Sequence, residues 1–203
     1  MTDLYLIRHG ETIFNQQGCF QGHADSPLTP LGLQQAERLV AHFSQIPLQH
    51  IYSSDLGRAI SSATPLSIAK DLPLKLCPLL REISYGYLDG QPKESLSEYD
   101  KEQLRRLFSA ELNVQIGEGE TLNQVKSRLF NRINEIQRLH AGEKVAVMTH
   151  GLSMVMLLKK ILHIPVDAPR QFNVHNVSVC HLTFKSNQWW LQSIERNDSD
   201  YVK

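Results

Sequence analysis

Two short apolar runs in this chain end in a histidine followed by glycine: "LYLIRHG" at 4–10 and "VAVMTHG" at 145–151. The first also carries a guanidinium, Arg8, beside His9. An imidazole can act as nucleophile or base. A guanidinium offers a planar fork of donors suited to oxyanions. A second arginine, Arg58, lies in "SSDLGRAISSA" (53–63), and a glutamate, Glu82, lies in the glycine-containing stretch "LLREISYGYLDGQ" (79–91). In a closed pocket beside a phosphate, such a glutamate is a candidate proton donor. Each residue alone has an ordinary reading: a structural histidine, an exposed helix arginine, a solvated loop glutamate. Two strand-His-Gly exits, with an arginine helix and a glutamate loop between them, make a constellation suited to an anion and a proton.

These residues need a scaffold that brings them to one edge. Strand and helix signals alternate along the chain, which predicts an α/β layered domain. "LYLI" (4–7) and "VAVMTH" (145–150) suit buried central strands. "HIYSS" (50–54) reads as another strand, and "NVSVCHLTF" with "WWLQSIE" reads as a closing pair. Thr29 and Pro30 mark a helix start, followed by Leu33, Ala36, Leu39, Val40 and Phe43 at helical spacing. The segment carrying Arg58 reads as a helix capped by Asp55, with Pro65 bending or restarting it. Another helix is expected from about Thr121 to His140, and an apolar one over "GLSMVMLLKKIL". The backbone N–H groups where that last helix begins would face a bound anion. Residues 91–120 are polar and weakly periodic, and read as an inserted, partly helical lid over one end of the sheet. In open α/β sheets ligands bind at the carboxyl ends of strands, where His9 and His150 both fall.

The 203 residues fit one domain, 1–203, with that insertion. Apolar residues make up 41% and charged residues 21%, and the formal net charge is zero. This balance argues against a nucleic-acid or other polyanion binder. No apolar run approaches the roughly 20 residues that span a bilayer, and "MTDLYLIRHG" has no basic leader. A cytoplasmic protein without membrane contact is expected. Cys19, Cys77 and Cys180 form no CxxC pair and read as reduced thiols. The nine histidines include no HxH or HExxH, so neither a metal nor a cofactor is expected.

The motifs together resemble the histidine phosphatase superfamily, the phosphoglycerate-mutase-like family. The resemblance rests on "LIRHGET" with Asn15, "FQGHADSPLTPLGLQQA", "IYSSDLGRA", "LREISYGYLDG", "GEGETL" and "VMTHG", in that order and nearly end to end. It implies a three-layer α/β/α sandwich with a mainly parallel central sheet, and a phosphohistidine intermediate. It implies His9 as nucleophile, Arg8 and Arg58 as phosphate clamps, His150 as a second pocket histidine, and Glu82 as proton donor and acceptor. Asn15 and Gln21 resemble further phosphate contacts, and Gly22, Thr12 and the backbone N–H of Gly151 join them. Guanidinium charges beside His9 would disfavour its protonation and so keep it nucleophilic.

The activity implied is a metal-independent phosphomonoesterase acting on a small phosphorylated metabolite, with alpha-ribazole phosphatase or a broad-specificity phosphatase as the nearest types. Lys93, Glu94, Tyr85 and Tyr87 are expected to line the substrate side, and a monomer or homodimer is expected. Two departures from the family pattern are Ser62, where many members have Thr, and Leu152, where many have a second Gly. The alternative is a phosphoglycerate mutase, in which Arg105 and Arg106 would hold a second anionic group. Against it, Ile83 follows Glu82 where the mutases have Arg, and the insertion is shorter. A further alternative is a phospho-ligand-binding scaffold with little catalysis, although Arg8, His9, Arg58, Glu82 and His150 are all present.

Overall fold

The computed structural model describes residues 1–109, 111, 113–168 and 172–197. Six strands form one sheet: β1 (Thr2–Arg8), β2 (His50–Ser53), β3 (Leu74–Leu76), β4 (Lys144–Thr149), β5 (Val179–Lys185) and β6 (Gln188–Glu195). Their order is β3-β2-β4-β1-β5-β6. The pairs β1–β4, β4–β2 and β2–β3 are parallel, whereas β5 and β6 add an antiparallel edge. The mainly parallel sheet is as expected, whereas β3 is a strand that no sequence pattern marks. At three residues, "LKL" is too short to carry a period.

Successive side chains of β1 enter different cores. Leu4 and Leu6 join a core on one face, with Val145, Val147, Leu129, Ile133 and Leu157. Tyr5 and Ile7 join the opposite core, with Ala146, Met148, Leu39, Ala59 and Leu66. A strand buried on both faces needs the unbroken apolar run that "LYLI" supplies. The helices divide accordingly. Helices α2 (Pro30–His42) and α3 (Gly57–Lys70) cover one face, whereas α5 (Leu122–Leu139) and α6 (Gly151–Ile161) cover the other. This is the three-layer sandwich. A four-residue helix, α1 (Ile13–Gln16), follows β1.

Helix boundaries show where local chemistry acted as expected and where it did not. Thr29 caps α2, its hydroxyl accepting from Gly32 N, with Pro30 in the first turn. Thr121 caps α5 in a reciprocal pair with Gln124. Asp55, expected to cap α3, does not. The cap position falls on Leu56 without a side-chain bond, and Asp55 instead takes both arms of Arg81. The first turn of α3 is served from another loop, where Asp25 accepts from Arg58 N. Pro65 neither bends nor restarts α3, which runs through it. The carbonyl that proline frees belongs to Ser61, which is exposed and open to water, while Ala59, Ala63 and Leu66 stay buried.

The 91–120 insertion contains a 3-10 turn (Lys93–Ser95) and α4 (Glu98–Phe108), capped by Ser97. It is less a loose cover than a wall. Leu96, Leu104, Leu107, Val114 and Ile116 all enter the core beside α5 and α6. The three cysteines are free, with Cys77 and Cys180 buried. Among the described residues no helix is long and apolar enough to cross a membrane.

Candidate active site

Chain direction places the site. After β1 the chain turns to α2 on one face, and after β4 it turns to α6 on the other. These adjacent parallel strands thus leave a crevice between their carboxyl ends, the usual ligand position in such sheets. A cavity of about 480 Å³ opens there. Of the expected site residues, Arg8, His9, Asn15, Gln21, Gly22, Arg58, Glu82 and Gly151 line it.

His9 is almost fully buried. Its Nδ1 lies 2.7 Å from the carbonyl oxygen of Gly10. A carbonyl only accepts, so Nδ1 carries the proton and Nε2 keeps its lone pair. Burial holds the imidazole well below its usual pKa, and the Arg58 and Arg8 guanidiniums add to that. The expectation named the arginines alone, but desolvation is the larger cause. The loop is pinned from both sides. Ser62 Oγ accepts from Gly10 N and donates to the Arg58 carbonyl, and Asn176 Nδ2 donates to the His9 carbonyl. Gly10 is required because a Cβ there would lie 2.6 Å from the backbone oxygen of Gly32.

The cations are held differently. Arg8 donates from Nη1 to Val174 O. Its guanidinium passes close to Gly151, the first residue of α6, where a Cβ would come 3.2 Å from Arg8 Nε. Arg58 is 1% exposed. Its Nη groups are engaged by the carbonyls of Gly22 and Ala24 and by Asp25, whereas Nε has no hydrogen-bond partner. His150 is fully buried, its ring centroid 5.2 Å from that of His9. Neither of its ring nitrogens has a partner. Burial, then Arg58, keeps His150 well below the usual imidazole pKa. Buried polar atoms without partners are rare in folded proteins and call for a ligand or water. Here they converge beside His9.

Glu82 sits at the amino end of α6. Its Oε1 accepts from Ile83 N, Ser153 N and Ser153 Oγ, and its Oε2 accepts from Leu152 N. The first-turn donors of α6 expected to face an anion are therefore partly taken by this carboxylate. Gly151, at the cavity wall, is the residue left to serve a ligand.

Arg128 on α5 fixes the Glu82 loop from behind. It donates to the carbonyls of Leu79, Arg81 and Glu82, and pairs with Glu120. His23 Nε2 also meets the Glu82 carbonyl at 3.0 Å. Asp89 accepts from His23 N, Tyr85 N and Ser84 Oγ, tying two cavity loops together. Arg128, Ser62, Asp25 and Asp89 were not singled out as site residues. They act from behind the lining residues, through backbone groups and, for Asp25, Asp89 and Arg128, also through the side chains of Arg58, Ser84 and Glu120, contacts that only the fold creates.

Asn15 and Gln21 reach the cavity with their amides oriented by Thr12. Asn15 Oδ1 accepts from Thr12, and so does Gln21 Oε1. This leaves both NH2 groups for a ligand. Thr12 itself is fully buried and caps α1, and it does not line the cavity. Its place is behind the contacts, not among them. On the outer side Tyr85 and Lys93 line the cavity, but Tyr87 and Glu94 do not. The remaining wall is mostly apolar: Phe20, Leu107, Phe108, Leu122, Val155 and Met156.

A family model described as histidine phosphatase superfamily (branch 1) matches residues 4–197. The chain belongs to the histidine phosphatase superfamily. This superfamily member is similar to a probable phosphoglycerate mutase, GpmB, of Yersinia pestis (strain Pestoides F). The two are 31% identical over 189 residues, covering 93% of this chain and 88% of the relative. Among solved structures it is similar to Bacillus stearothermophilus YhfR, with a TM-score of 0.89, 29% identity, and coverage of 94% and 95% of the two chains. It is also similar to a phosphoserine phosphatase mutant from Entamoeba histolytica in complex with phosphoserine. There the TM-score is 0.86, the identity 25%, and the coverage 97% and 98%. The superfamily therefore supports an enzyme of either phosphatase or mutase type.

Proposed function

We propose that the protein is a phosphomonoesterase working through a phosphohistidine on His9, without a metal. The observation that carries this reading is the neutral His9, with Nε2 free, beside buried donors on Arg58 and His150 that lack partners. In the first step Nε2 attacks phosphorus and the bond to the alcohol oxygen breaks. Glu82 gives its proton to that oxygen. The proton can arrive with the substrate, since a phosphate monoester has its second ionisation near 6. In the second step water attacks phosphorus, the P–N bond breaks, and the Glu82 carboxylate takes a proton from the water. His9 returns neutral, with Nδ1–H still on Gly10 O. Arg8, Arg58 and His150, with the amides of Asn15 and Gln21, stabilise the charge on the equatorial oxygens.

The phosphatase reading is favoured over the mutase reading by where the arginine pair lies. Arg105 pairs with Glu102, and Arg106 with Glu111, on the exposed side of α4 and outside the cavity. Ile83 is buried in the core. Neither arrangement offers a second anion site. The mutase reading draws its support from the Yersinia relative. The apolar wall suits a leaving group with a flat or aliphatic body, and an alpha-ribazole phosphate is of that kind.

The test is phosphate release across a substrate panel, with a mutase assay run with and without a bisphosphoglycerate primer. His9→Ala is expected to abolish turnover and acid-labile phosphate labelling. Aryl and alkyl phosphates are expected to exceed phosphoserine and 3-phosphoglycerate in kcat/KM by about tenfold, the scale of one or two buried methylenes. Labelling retained in His9→Ala would end the phosphohistidine reading. Primer-dependent interconversion of phosphoglycerates would end the phosphatase one.

A further inference from the structure

The opposite end of the sheet carries a second convergence of histidine and carboxylate. His50 opens β2, His140 ends α5, and Glu143 precedes β4. In the parallel register His50 pairs with Val145, so all three lie at the amino edge, remote from His9. Glu143 Oε2 stands 2.8 Å from His50 Nε2 and 3.0 Å from His140 Nδ1. The two imidazoles lie 3.7 Å apart, centroid to centroid. Among the described residues, this is the one group of His, Cys, Asp and Glu side chains whose ligand atoms converge within 4.8 Å.

The geometry points to a binding site for a divalent ion of the zinc type, held by His50 Nε2, His140 Nδ1 and the Glu143 carboxylate. Two neutral imidazoles and a carboxylate are a donor set for borderline divalent ions. Bonds of about 2.0–2.1 Å in a tetrahedral arrangement separate ligand atoms by about 3.3 Å. The two contacts of 2.8 and 3.0 Å to Glu143 Oε2 therefore need to lengthen by only roughly half an ångström or less, the ion replacing the two shared hydrogens, and all three ligand atoms already lie within 4.8 Å of one another.

The surroundings already support that geometry. Tyr52 OH lies 2.9 Å from His140 Nε2 and can orient that ring. The turn bearing Glu143 is fixed by Glu143 N to His140 O, and by Gly142 N to Thr2 Oγ1. Gly142 has φ +93° there, which favours glycine. The His140 side chain is 11% exposed and that of Glu143 is 40% exposed, so the site is anchored on one side and open to water on the other. One neighbour opposes it. Lys75 Nζ lies 3.2 Å from His50 Nδ1. An ion on Nε2 puts the ring proton on Nδ1, and Lys75 must then turn away. No short motif marks residues 50, 140 and 143, which explains why the sequence alone implied no metal.

The test uses the full chain, stripped with chelator and desalted, then titrated with zinc chloride by calorimetry. Wild type is expected to bind one equivalent. His140→Ala and Glu143→Gln are each expected to weaken binding at least tenfold, Glu143→Gln being the milder change to the fold. His9→Ala is expected to leave binding unchanged, which separates this site from the histidines of the active site. Lys75→Gln, whose amide oxygen can accept from Nδ1–H, is expected to tighten it. A cobalt(II) titration should give a visible absorption band in wild type and in His9→Ala, but not in His140→Ala. Absence of zinc binding, equal affinity in wild type and Glu143→Gln, loss of binding in His9→Ala, or weaker binding in Lys75→Gln would each overturn the inference.

Discussion

The free lone pair on His9 Nε2 depends on two separate devices, a carbonyl that fixes the tautomer and a buried setting that resists protonation. The second has a consequence for pH. An unfolded histidine titrates near 6.5, whereas His9 and His150 are both held well below that in the folded protein. As pH falls below about 6.5 the unfolded chain takes up protons that the folded chain refuses, so stability falls with it. His9→Gln should shrink the drop in urea midpoint between pH 7 and pH 5, and an undiminished drop would contradict this assignment. The same depression means that any loss of kcat/KM from His9 protonation should set in well below pH 6.5, the ordinary imidazole value, and not at it. At this scale the sequence was most informative about which residues share the cavity, because Arg8, His9, Arg58 and Glu82 each sit in a short local motif. Thr12 shows the limit. Its motif position suggests a ligand contact, but a hydroxyl immediately before a helix start is drawn into capping.

Between elements, single side chains act as ties. Ser62 joins the His9 loop to α3 through one accepted and one donated hydrogen bond. Ser62→Ala leaves a buried Gly10 N–H unsatisfied, at a cost of about 1–3 kcal/mol. A matching fall in chemical stability and about tenfold in kcat/KM is expected, while Ser62→Thr keeps both near wild type. Arg128 is a positioning residue, since it reaches Glu82 only through backbone carbonyls and Glu120. Arg128→Lys cannot span the same acceptors. Its kcat should fall more for an alkyl phosphate than for p-nitrophenyl phosphate, whose leaving group needs little help from the Glu82 proton. Equal losses on the two substrates would assign Arg128 to general stability instead. The long elements were legible from periodicity and caps, as Thr29 and Thr121 illustrate. Asp55, Pro65 and β3 were not, because a distant arginine, a water-exposed carbonyl and a neighbouring strand decided them.

For the whole molecule, the three layers serve to hold the carboxyl ends of β1 and β4 side by side with connections leaving on opposite faces. Ligand binding and fold stability are therefore linked. An oxyanion that satisfies Arg58 Nε and the His150 ring should stabilise the folded chain by about 2.7 kcal/mol at a hundredfold excess over its Kd. For a chain of this size that corresponds to roughly 5–10 °C in Tm. A thermal melt with vanadate checks it, and an unmoved Tm would place the anion elsewhere. The insertion was recognisable as a polar interruption, but its apolar residues, Leu104 and Leu107 among them, join the core only through tertiary contacts. The donors left without partners at Arg58 and His150 have a kinetic consequence as well. They do not distinguish the phosphoryl group of a substrate from free inorganic phosphate. On the proposed phosphatase reading each turnover ends with a product that fills the same places, so inorganic phosphate should compete with substrate, and its escape should set the pace once the second displacement is fast.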